Sequence, residues 1–414
     1  KLIMEPWDLG NLGWRTGQFS VPFAEWNDRF RDTARTFWLE DVDGGSDFGR
    51  ISLQEMATRL CGSADLFATE PGRGAPASIN FVSCHDGFTL TDLTRYRSKH
   101  NEANGENNND GSSVNHSANF GVEGVTDDPD VIAAREQAAM NMIGMLLLSL
   151  GTPMMLAGDE FRNTQDGNNN AYCQDNDITW LKWDWMYSTN KTREMRRLET
   201  VSRLVALRKS LDLYHHEDFF TRLTQIGLLK PSSRVQWFLP DGTTPMERDW
   251  FDLGVRSFTM RLLSNSEVDV CIVVNGTADD RTFRLPPDTH WTPKWCSAEI
   301  NGRRAGHGTQ VEECDLNGDT TVWTQHVPDA SETVLKMVEE VAMQRTESST
   351  ENEADTIEFT MPVTDHAANG TSSVPRDEVS ADMPDAPVDD TPDTPVDDNV
   401  WTMPALSITL MKQV

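Results

Sequence analysis

In the first half of the chain, short apolar segments alternate with longer segments of helical periodicity. The predicted strands are residues 1–8, 23–27, 79–86 and 152–157, and the predicted helices are residues 28–39, 52–60, 129–150 and 191–211. Regular strand–helix alternation is typical of a parallel α/β barrel or a doubly wound sheet, because each helix covers a face of the sheet. Four such strand–helix units amount to half of a (β/α)8 barrel.

After about residue 212 the pattern changes to short strands separated by turns. The predicted strands are residues 235–238, 257–262, 268–274, 282–285 and 406–411. Asn-Gly and Pro-Pro pairs supply the turn residues between them. The predicted fold is therefore α/β. The second half of a (β/α)8 TIM barrel occupies residues 1–212, and a small antiparallel β-sandwich domain follows over residues 213–330 and 400–414.

Residues 331–399 interrupt this second domain and differ from it in composition. Residues 331–400 contain 18 Asp or Glu and 3 Lys or Arg, which supplies −15 of the formal net charge of −30. Proline recurs among the acidic residues, as in Asp-Thr-Pro-Asp-Thr-Pro. Such a segment cannot bury enough apolar surface to offset its chain entropy. We predict an acidic, disordered insert.

Charge and cysteine usage narrow the class of function. The net charge of −30 argues against nucleic acid and anionic membranes as partners. The six cysteines show no Cys-x-x-Cys spacing, which predicts reduced thiols in a cytoplasmic protein. The longest apolar run, residues 142–150, is too short to cross a bilayer. No cluster of metal ligands stands out, so neither a metal nor another cofactor is expected.

Two of the predicted strands end in acidic residues. Glu5 and Trp7 end the first strand, and His85 and Asp86 end the third. In a parallel barrel the C-terminal ends of the strands form the active-site face. Glycoside hydrolysis needs a pair of carboxyl groups there, and an indole offers a flat surface for a sugar. The alternatives are a salt-bridged strand end for Glu5 and an ordinary turn in which Asp86 accepts from turn amides.

Seven local motifs then follow one another in a family-specific order. They are Glu-Pro-Trp-Asp at 5–8, Ala-Glu-Trp-Asn-Asp-Arg at 24–29, Asn-Phe-Val-Ser-Cys-His-Asp-Gly-Phe-Thr-Leu at 80–90, Lys-His-Asn-Glu-Ala-Asn-Gly-Glu-Asn at 99–107, Gly-Thr-Pro-Met-Met-Leu-Ala-Gly-Asp-Glu-Phe at 151–161, Gly-Asn-Asn-Asn-Ala-Tyr-Cys-Gln-Asp-Asn at 167–176, and Pro-Asp-Gly with a later Met and Asp-Trp across 240–250. Together they resemble the C-terminal part of the isoamylase-type glycogen debranching enzymes, in the α-amylase superfamily (glycoside hydrolase family 13).

The resemblance implies hydrolysis of α-1,6 branch linkages in glycogen or its limit dextrins with retention of configuration. The family's general acid/base corresponds to Glu5, and the aspartate that stabilises its transition state corresponds to Asp86. His85 would donate to a sugar hydroxyl, and Trp7 would line the sugar site. We further expect the two Asn-rich loops, within residues 94–130 and 167–176, to shape the cleft for a branched glucan.

The family nucleophile, an aspartate in a Gly-Phe-Arg-x-Asp type of motif, has no counterpart in this sequence. Its motif would lie upstream of Lys1, so we expect an N-terminally truncated chain that does not form the covalent intermediate by itself. Two alternatives stay open. One is a non-catalytic remnant that binds glucan without turnover, and the other is an α-1,4-active glucanohydrolase of the same superfamily.

Several further residues have a catalytic and a structural interpretation. Asp159 and Glu160 follow the fourth predicted strand, and we favour helix capping or loop support over a third catalytic carboxyl group. Asp92 is interpreted as a residue of a helix start. Four tryptophans of the second domain could form a carbohydrate platform, but core packing is the favoured interpretation. They are Trp237, Trp250, Trp291 and Trp295.

Overall fold

The structure, a computed structural model, describes residues 2–8, 10, 12–39, 50–68, 72–215, 219, 221–222, 234–263, 268–287, 290–308, 310–313, 399–405 and 407–413. Its α-helices are α1 (Asp28–Leu39), α2 (Leu53–Leu60), α3 (Ala64–Phe67), α4 (Leu90–Leu93), α5 (Pro129–Leu148), α6 (Arg193–Lys209) and α7 (Glu247–Phe251). Its strands are β1 (Leu2–Met4), β2 (Phe23–Asn27), β3 (Ser78–Asn80), β4 (Thr152–Pro153), β5 (Thr221–Arg222), β6 (Arg234–Phe238), β7 (Ser257–Leu263), β8 (Val270–Asn275), β9 (Arg281–Arg284), β10 (Trp291–Cys296), β11 (Arg303–Arg304), β12 (Gly306–His307), β13 (Glu312–Glu313), β14 (Val400–Met403) and β15 (Ser407–Gln413).

The first four strands form a parallel sheet in the order β1-β2-β3-β4. The α/β character predicted from the sequence is therefore present. Helices follow β2, β3 and β4, but none of the described residues between β1 and β2 is helical. The sequence also predicts a loop over residues 9–22, so the predicted count of four strand–helix units is one too high for the described part of the chain.

Three of these strands are much shorter than predicted, and β1 is one of them, since it covers Leu2–Met4 where the sequence predicts 1–8. β3 was expected to run from 79 to 86 and β4 from 152 to 157, but the paired residues are Ser78–Asn80 and Thr152–Pro153. Pro153 has no backbone N–H, so it cannot donate to the sheet. The last backbone contact between the two strands is Met154 N donating to the Asn80 carbonyl at 2.8 Å. Phe81 and Val82 are buried, as expected, but beyond the paired region.

The long helices agree closely with the sequence patterns. α1 has the predicted bounds, and α5 and α6 end within two residues of them. The sequence also predicts Ser52 as the N-cap of α2 and Glu55 as the residue that closes a capping box. Ser52 does cap the helix, since its hydroxyl accepts from Glu55 N at 3.2 Å. The Glu55 carboxylate does not complete a capping box. It accepts instead from Thr33 Oγ1 at 3.2 Å and pairs with Arg59 at 3.1 Å.

The second half of the described chain contains two larger sheets. Six strands follow the order β10-β15-β8-β7-β6-β5, all antiparallel neighbours except β5 and β6, and three antiparallel strands follow the order β12-β14-β9. A buried cluster contains residues from both sheets, among them Val273 and Met411 from the first and Phe283 and Trp401 from the second. Antiparallel structure is therefore present as predicted.

Four strands of these two sheets escaped the sequence analysis, namely the two-residue β5 and β12 and the longer β10 and β14. β10 contains Pro293, and its pairing with β15 shifts register between Pro293 and Trp295. A proline within a short apolar run argues against a strand unless the register is irregular there. β14 pairs with β9, more than a hundred residues earlier in the chain, and a local pattern does not report such distant pairing.

The helices beside the parallel sheet also pack against the six-stranded antiparallel sheet. On α5, Gly144 lies so close to this sheet that a Cβ there would stand 2.7 Å from Ile408 and 2.9 Å from Trp295. Trp295 is fully buried and donates its indole N–H to the Thr200 carbonyl of α6 at 3.3 Å. One continuous apolar core therefore includes side chains from α1, α2, α5 and α6 and from β6, β7, β8, β10 and β15.

The tryptophans of the second half serve this packing. Trp237, Trp291 and Trp295 are buried, and Trp250 stacks edge-on against Trp237 with ring centroids 5.8 Å apart. The core-packing interpretation is confirmed for these three buried rings. By length and composition α5 could cross a membrane, but 72% of its apolar window is buried in this fold.

The predicted acidic insert lies outside the described residues. All described residues belong to one compact unit. The domain boundaries inside this unit stay predictions. Five described cysteines are free thiols, namely Cys61, Cys84, Cys173, Cys271 and Cys296.

Candidate active site

The C-terminal end of β1 carries two of the predicted site residues. Glu5 directly follows Met4, the last residue of β1, and its side chain is exposed. No described residue forms a hydrogen bond or an ion pair with the Glu5 carboxylate. The salt-bridged strand end considered above is therefore not seen among the described residues. Trp7, two residues on, is partly buried.

A turn of residues 83–89 follows β3 and carries His85 and Asp86. Both side chains are exposed, whereas Cys84 and Phe88 on either side of them are buried. The Cys84 thiol donates to the Asp86 carbonyl at 3.1 Å, and burial raises the pKa of this thiol. The Asp86 carboxylate accepts no hydrogen bond from the described residues. It therefore does not cap the amides of its own turn, and it stays open to a ligand.

Trp26, near the end of β2, brings the predicted sugar-binding residues together. Its ring centroid lies 6.3 Å from that of Trp7 and 5.7 Å from that of His85. β2 lies between β1 and β3, so these two strands are about 10 Å apart, which is two strand spacings. Glu5 and Asp86 lie in the segments that follow the C-terminal ends of β1 and β3. The sequence analysis missed Trp26, although its place in the Ala-Glu-Trp-Asn-Asp-Arg motif at the end of a strand was a usable signal.

A buried ion pair fixes the chain beyond Trp7. Glu25 on β2 is fully buried and pairs with Arg73 at 2.6 Å. The same carboxylate accepts from Gly17 N at 2.6 Å and from Phe19 N at 3.2 Å. A buried carboxylate needs this full set of partners to offset its desolvation. Glu25 therefore ties the segment that follows β1 back to β2.

The chain leaving β3 is held from α1. Arg35 is buried, and its guanidinium donates to the Val82 carbonyl at 2.8 Å and to the Asn115 carbonyl at 3.1 Å. Burial, aided by the neighbouring Arg31, lowers the pKa of Arg35 to about 10. Arg35 thus links the extension of β3 to the first Asn-rich loop.

Asp159 and Glu160 support loops, in agreement with the favoured interpretation. Asp159 is 1% exposed and accepts from the Ser83 hydroxyl and from Leu90 N, the latter at 3.0 Å. Burial raises the pKa of Asp159 to about 7. The Glu160 carboxylate accepts from Gly158 N at 2.8 Å, within its own turn.

Asp92 lies in the first turn of α4, whose N-cap is Thr89. Its position at a helix start is as predicted. Its carboxylate, however, accepts from Thr164 Oγ1 at 2.5 Å and from Gln165 N at 2.8 Å, so it also anchors the approach to the second Asn-rich loop. Burial raises the pKa of Asp92, although these hydrogen bonds favour its charged form.

The two Asn-rich loops interlock through their side-chain amides. Asn101 and Asn169 exchange two hydrogen bonds of 2.9 Å, and Asn168 donates to Asn104 at 2.8 Å. Asp110 Oδ2 accepts from Asn104 at 2.7 Å and from Asn170 at 2.8 Å. These reciprocal bonds hold the loops in one arrangement.

This network reaches the 83–89 turn at one point. Gly87 N, directly after Asp86, donates to the Asn169 carbonyl at 3.0 Å. The second Asn-rich loop is therefore attached to the turn that carries His85 and Asp86. The expectation that these loops shape a substrate cleft stays a prediction.

A buried cluster of charges lies beneath the Asp159 segment. Glu136 of α5 pairs with Arg162 and Arg197, both at 2.8 Å. Burial opposes the charge of Glu136, but Arg197 and Arg162 outweigh it and hold the pKa of this carboxyl below its ordinary value. Arg197 also donates to the Asp159 carbonyl at 3.3 Å.

A separate cleft of about 620 Å³ contains none of the predicted site residues. Its lining includes Arg97, Phe120 and Asp130. Phe120 has a positive φ of 54°. Within the described part of the chain, no group of three or more His, Cys, Asp or Glu is placed to hold a metal ion.

Comparison with known proteins identifies the class to which these features correspond. No protein-family model matches the chain. The glycogen debranching enzyme of Pectobacterium atrosepticum is 40% identical over 318 residues, which cover 76% of this chain and 44% of the relative. The enzyme of the same name from Enterobacter sp. strain 638 is 51% identical over 184 residues, covering 44% of this chain and 27% of the relative.

Among solved structures, a pullulanase from Bacillus acidopullulyticus matches with a TM-score of 0.44 and 17% identity, covering 70% of this chain and 30% of the pullulanase. The sequence matches make this chain a homologue of glycoside hydrolases. More particularly, it is related to the glycogen debranching enzymes, so the resemblance seen in its motifs is confirmed. The chain spans less than half the length of the curated relatives that it matches, 44% in the case of the Pectobacterium enzyme.

Proposed function

We propose that this protein hydrolyses α-1,6 branch linkages in glycogen or its limit dextrins, in the cytoplasm and with retention of configuration. The observation that carries the proposal is that Glu5 follows β1 and Asp86 lies in the segment that follows β3, while Trp26 of the intervening β2 contacts the rings of Trp7 and His85. Support comes from the relatives, which are named glycogen debranching enzymes.

Each residue has a role that follows from its chemistry and exposure. Retention needs a nucleophile that takes the glycosyl group, and in the resembling family this is an aspartate without a counterpart in these residues. Glu5, exposed beyond β1, donates a proton to the departing oxygen of the scissile linkage, and it accepts a proton from the water that then releases the sugar from the nucleophile. Asp86, exposed on the 83–89 turn, places negative charge beside the positive charge that develops on the sugar ring. His85 donates to a sugar hydroxyl, and Trp7 presents its ring to a sugar face.

The architecture is part of the same proposal. The four-stranded parallel sheet corresponds to the second half of a (β/α)8 barrel, and the two antiparallel sheets with their shared buried cluster correspond to a β-sandwich. In a parallel barrel the catalytic groups leave the C-terminal strand ends. Glu5 and Asp86 lie in the segments that follow those ends of β1 and β3.

The test is the release of reducing ends from a glycogen limit dextrin, with a linear α-1,4 glucan assayed in parallel. Glu5→Gln is expected to lower debranching by about 10³-fold, because the amide cannot donate the required proton. Glu247→Gln changes an exposed glutamate on α7 and serves as the matched control. Cleavage of the linear glucan alone would replace the proposal by an α-1,4 activity.

A second candidate function is glucan binding without turnover. It is favoured by one observation, the contacts of the Trp26 ring with Trp7 and His85, because such aromatic contacts can hold a sugar without any catalytic carboxyl group. Titration of the protein with limit dextrin, followed by tryptophan fluorescence, measures binding independently of hydrolysis. Binding that Trp26→Ala weakens, without any release of reducing ends, would establish this second function.

A further inference from the structure

The 83–89 turn is bracketed by one buried carboxylate. Asp159, which follows β4, accepts from the Ser83 hydroxyl at the beginning of the turn. It also accepts from Leu90 N, directly after the end of the turn, at 3.0 Å. The two oxygens of one side chain therefore hold both ends of the segment that presents His85 and Asp86.

Burial rules out direct contact between Asp159 and a sugar. The residue is 1% exposed, whereas His85 and Asp86 are both exposed. Both carboxylate oxygens already have donors from the 83–90 segment. Asp159 is therefore not a third catalytic carboxyl group, and any effect that it has on chemistry must act through the turn.

Asp159 is itself held in place from below. Arg197 of α6 donates to its carbonyl at 3.3 Å, and Arg197 is fixed by Glu136 of α5 at 2.8 Å. Two additional bonds tie the turn to neighbouring loops, since Gly87 N donates to Asn169 and Thr89 Oγ1 donates to Asn163, at 3.0 and 3.1 Å. The turn is thus fastened at its ends by Asp159 and along its length by the loop after β4.

We propose that Asp159 is a positioning residue, whose carboxylate clamps the two ends of the 83–89 turn and thereby sets where His85 and Asp86 stand at the substrate site. The part that concerns His85 and Asp86 in hydrolysis rests on the function proposed above. The clamp itself is a property of the free protein, so it can be tested without substrate.

The two hydrogen bonds of Asp159 predict how strongly each of three variants loosens the 83–89 turn. Asp159→Ala removes both acceptors and leaves the N–H of Leu90 buried without a partner, which is the costly case. Asp159→Asn keeps both bonds, because its oxygen accepts from Leu90 N and its amide donates to the Ser83 hydroxyl, which can also accept. Ser83→Ala removes one of the two bonds and keeps the carboxylate on Leu90.

The first experiment is hydrogen exchange of the full chain without glucan, read on a peptide spanning residues 83–93. Asp159→Ala is expected to speed exchange there by about 10-fold, while a peptide spanning β7 is unchanged. Asp159→Asn is expected to stay close to wild type. Unchanged exchange in Asp159→Ala, or equal acceleration in Asp159→Asn, would overturn the clamp. If Asp159→Ala does not fold, Ser83→Ala is measured instead. It is expected to speed hydrogen exchange less than Asp159→Ala would, and only in the same peptide.

The second experiment measures limit-dextrin hydrolysis in a double-mutant cycle with Asp86→Asn. A residue that acts through Asp86 loses its effect once Asp86 is replaced. Asp159→Ala is therefore expected to lower kcat/KM by about 10-fold in the wild-type background and hardly at all in the Asp86→Asn background. If the fold-losses in kcat/KM of the two single variants multiply in the double variant, Asp159 does not act through Asp86. If the wild type releases no reducing ends, the proposed function fails, and the exchange experiment still decides the clamp.

Discussion

Replacement of Asp159 by asparagine is expected to remove a pH dependence from the stability of this protein. Burial raises the pKa of Asp159 from 3.8 to about 7, despite the hydrogen bonds from Ser83 and Leu90. Between these values the folded protein holds a proton that the unfolded chain has released. The free energy of unfolding therefore falls as the pH rises from about 4 to about 7, and this contribution is constant above that range.

The size of the effect follows from the two pKa values. A difference of one pKa unit corresponds to about 1.4 kcal/mol. The step from 3.8 to about 7 thus corresponds to ~4 kcal/mol of unfolding free energy, lost between about pH 4 and pH 7. Asp159 is 1% exposed, so solvent screening does little to reduce this value. Asparagine does not titrate, so Asp159→Asn keeps the shape of the side chain and loses the step.

The assay is urea unfolding at about pH 5, 6, 7 and 8, followed by tryptophan fluorescence and fitted for the free energy of unfolding. Relative to wild type, Asp159→Asn is expected to gain stability progressively as the pH rises. Ser83→Ala provides a second arm, because the loss of a donor to the carboxylate raises the pKa of Asp159 further and moves the step to higher pH. Parallel pH profiles of wild type and Asp159→Asn would refute the reasoning.

Two further predictions concern stability alone. Arg197→Met leaves Glu136 buried with one cationic partner fewer and is expected to cost about 3–5 kcal/mol in urea unfolding, whereas Arg193→Met, an exposed change on the same helix, is expected to cost less than about 1 kcal/mol. A loss for Arg197→Met as small as the control would contradict the assignment of the buried pair. Ser52→Ala removes the cap of α2 and is expected to cost about 1 kcal/mol, and an unchanged unfolding midpoint would show that the cap contributes nothing.

The elements best predicted from the sequence are those defined by local signals. α1, α5 and α6 carry helical periodicity over three turns or more, and α5 starts at a proline behind the capping residue Asp128. The strands were predicted less well because pairing depends on the neighbour. The pairing of β3 with β4 ends at Asn80 and Pro153, because Pro153 has no backbone N–H to donate.

The candidate site divides in the same way. Glu5, Trp7, His85 and Asp86 could be selected because they follow apolar strands and lie in family-specific motifs. The link through Trp26 depends on strand order, and the bracket that Asp159 forms around the 83–89 turn depends on contacts between residues about seventy positions apart. No local pattern reports such contacts, so only the folded chain reveals them.

The close approach of α5 to the antiparallel sheet has a consequence for how the described unit can be divided. Gly144 leaves no room for a Cβ between α5 and the side chains of Ile408 and Trp295, and α6 accepts the Trp295 indole N–H. A chain cut after residue 212 would expose this entire face of both helices to water. α5, α6 and the six-stranded sheet should consequently lose structure in one cooperative transition, because their side chains belong to the same apolar core.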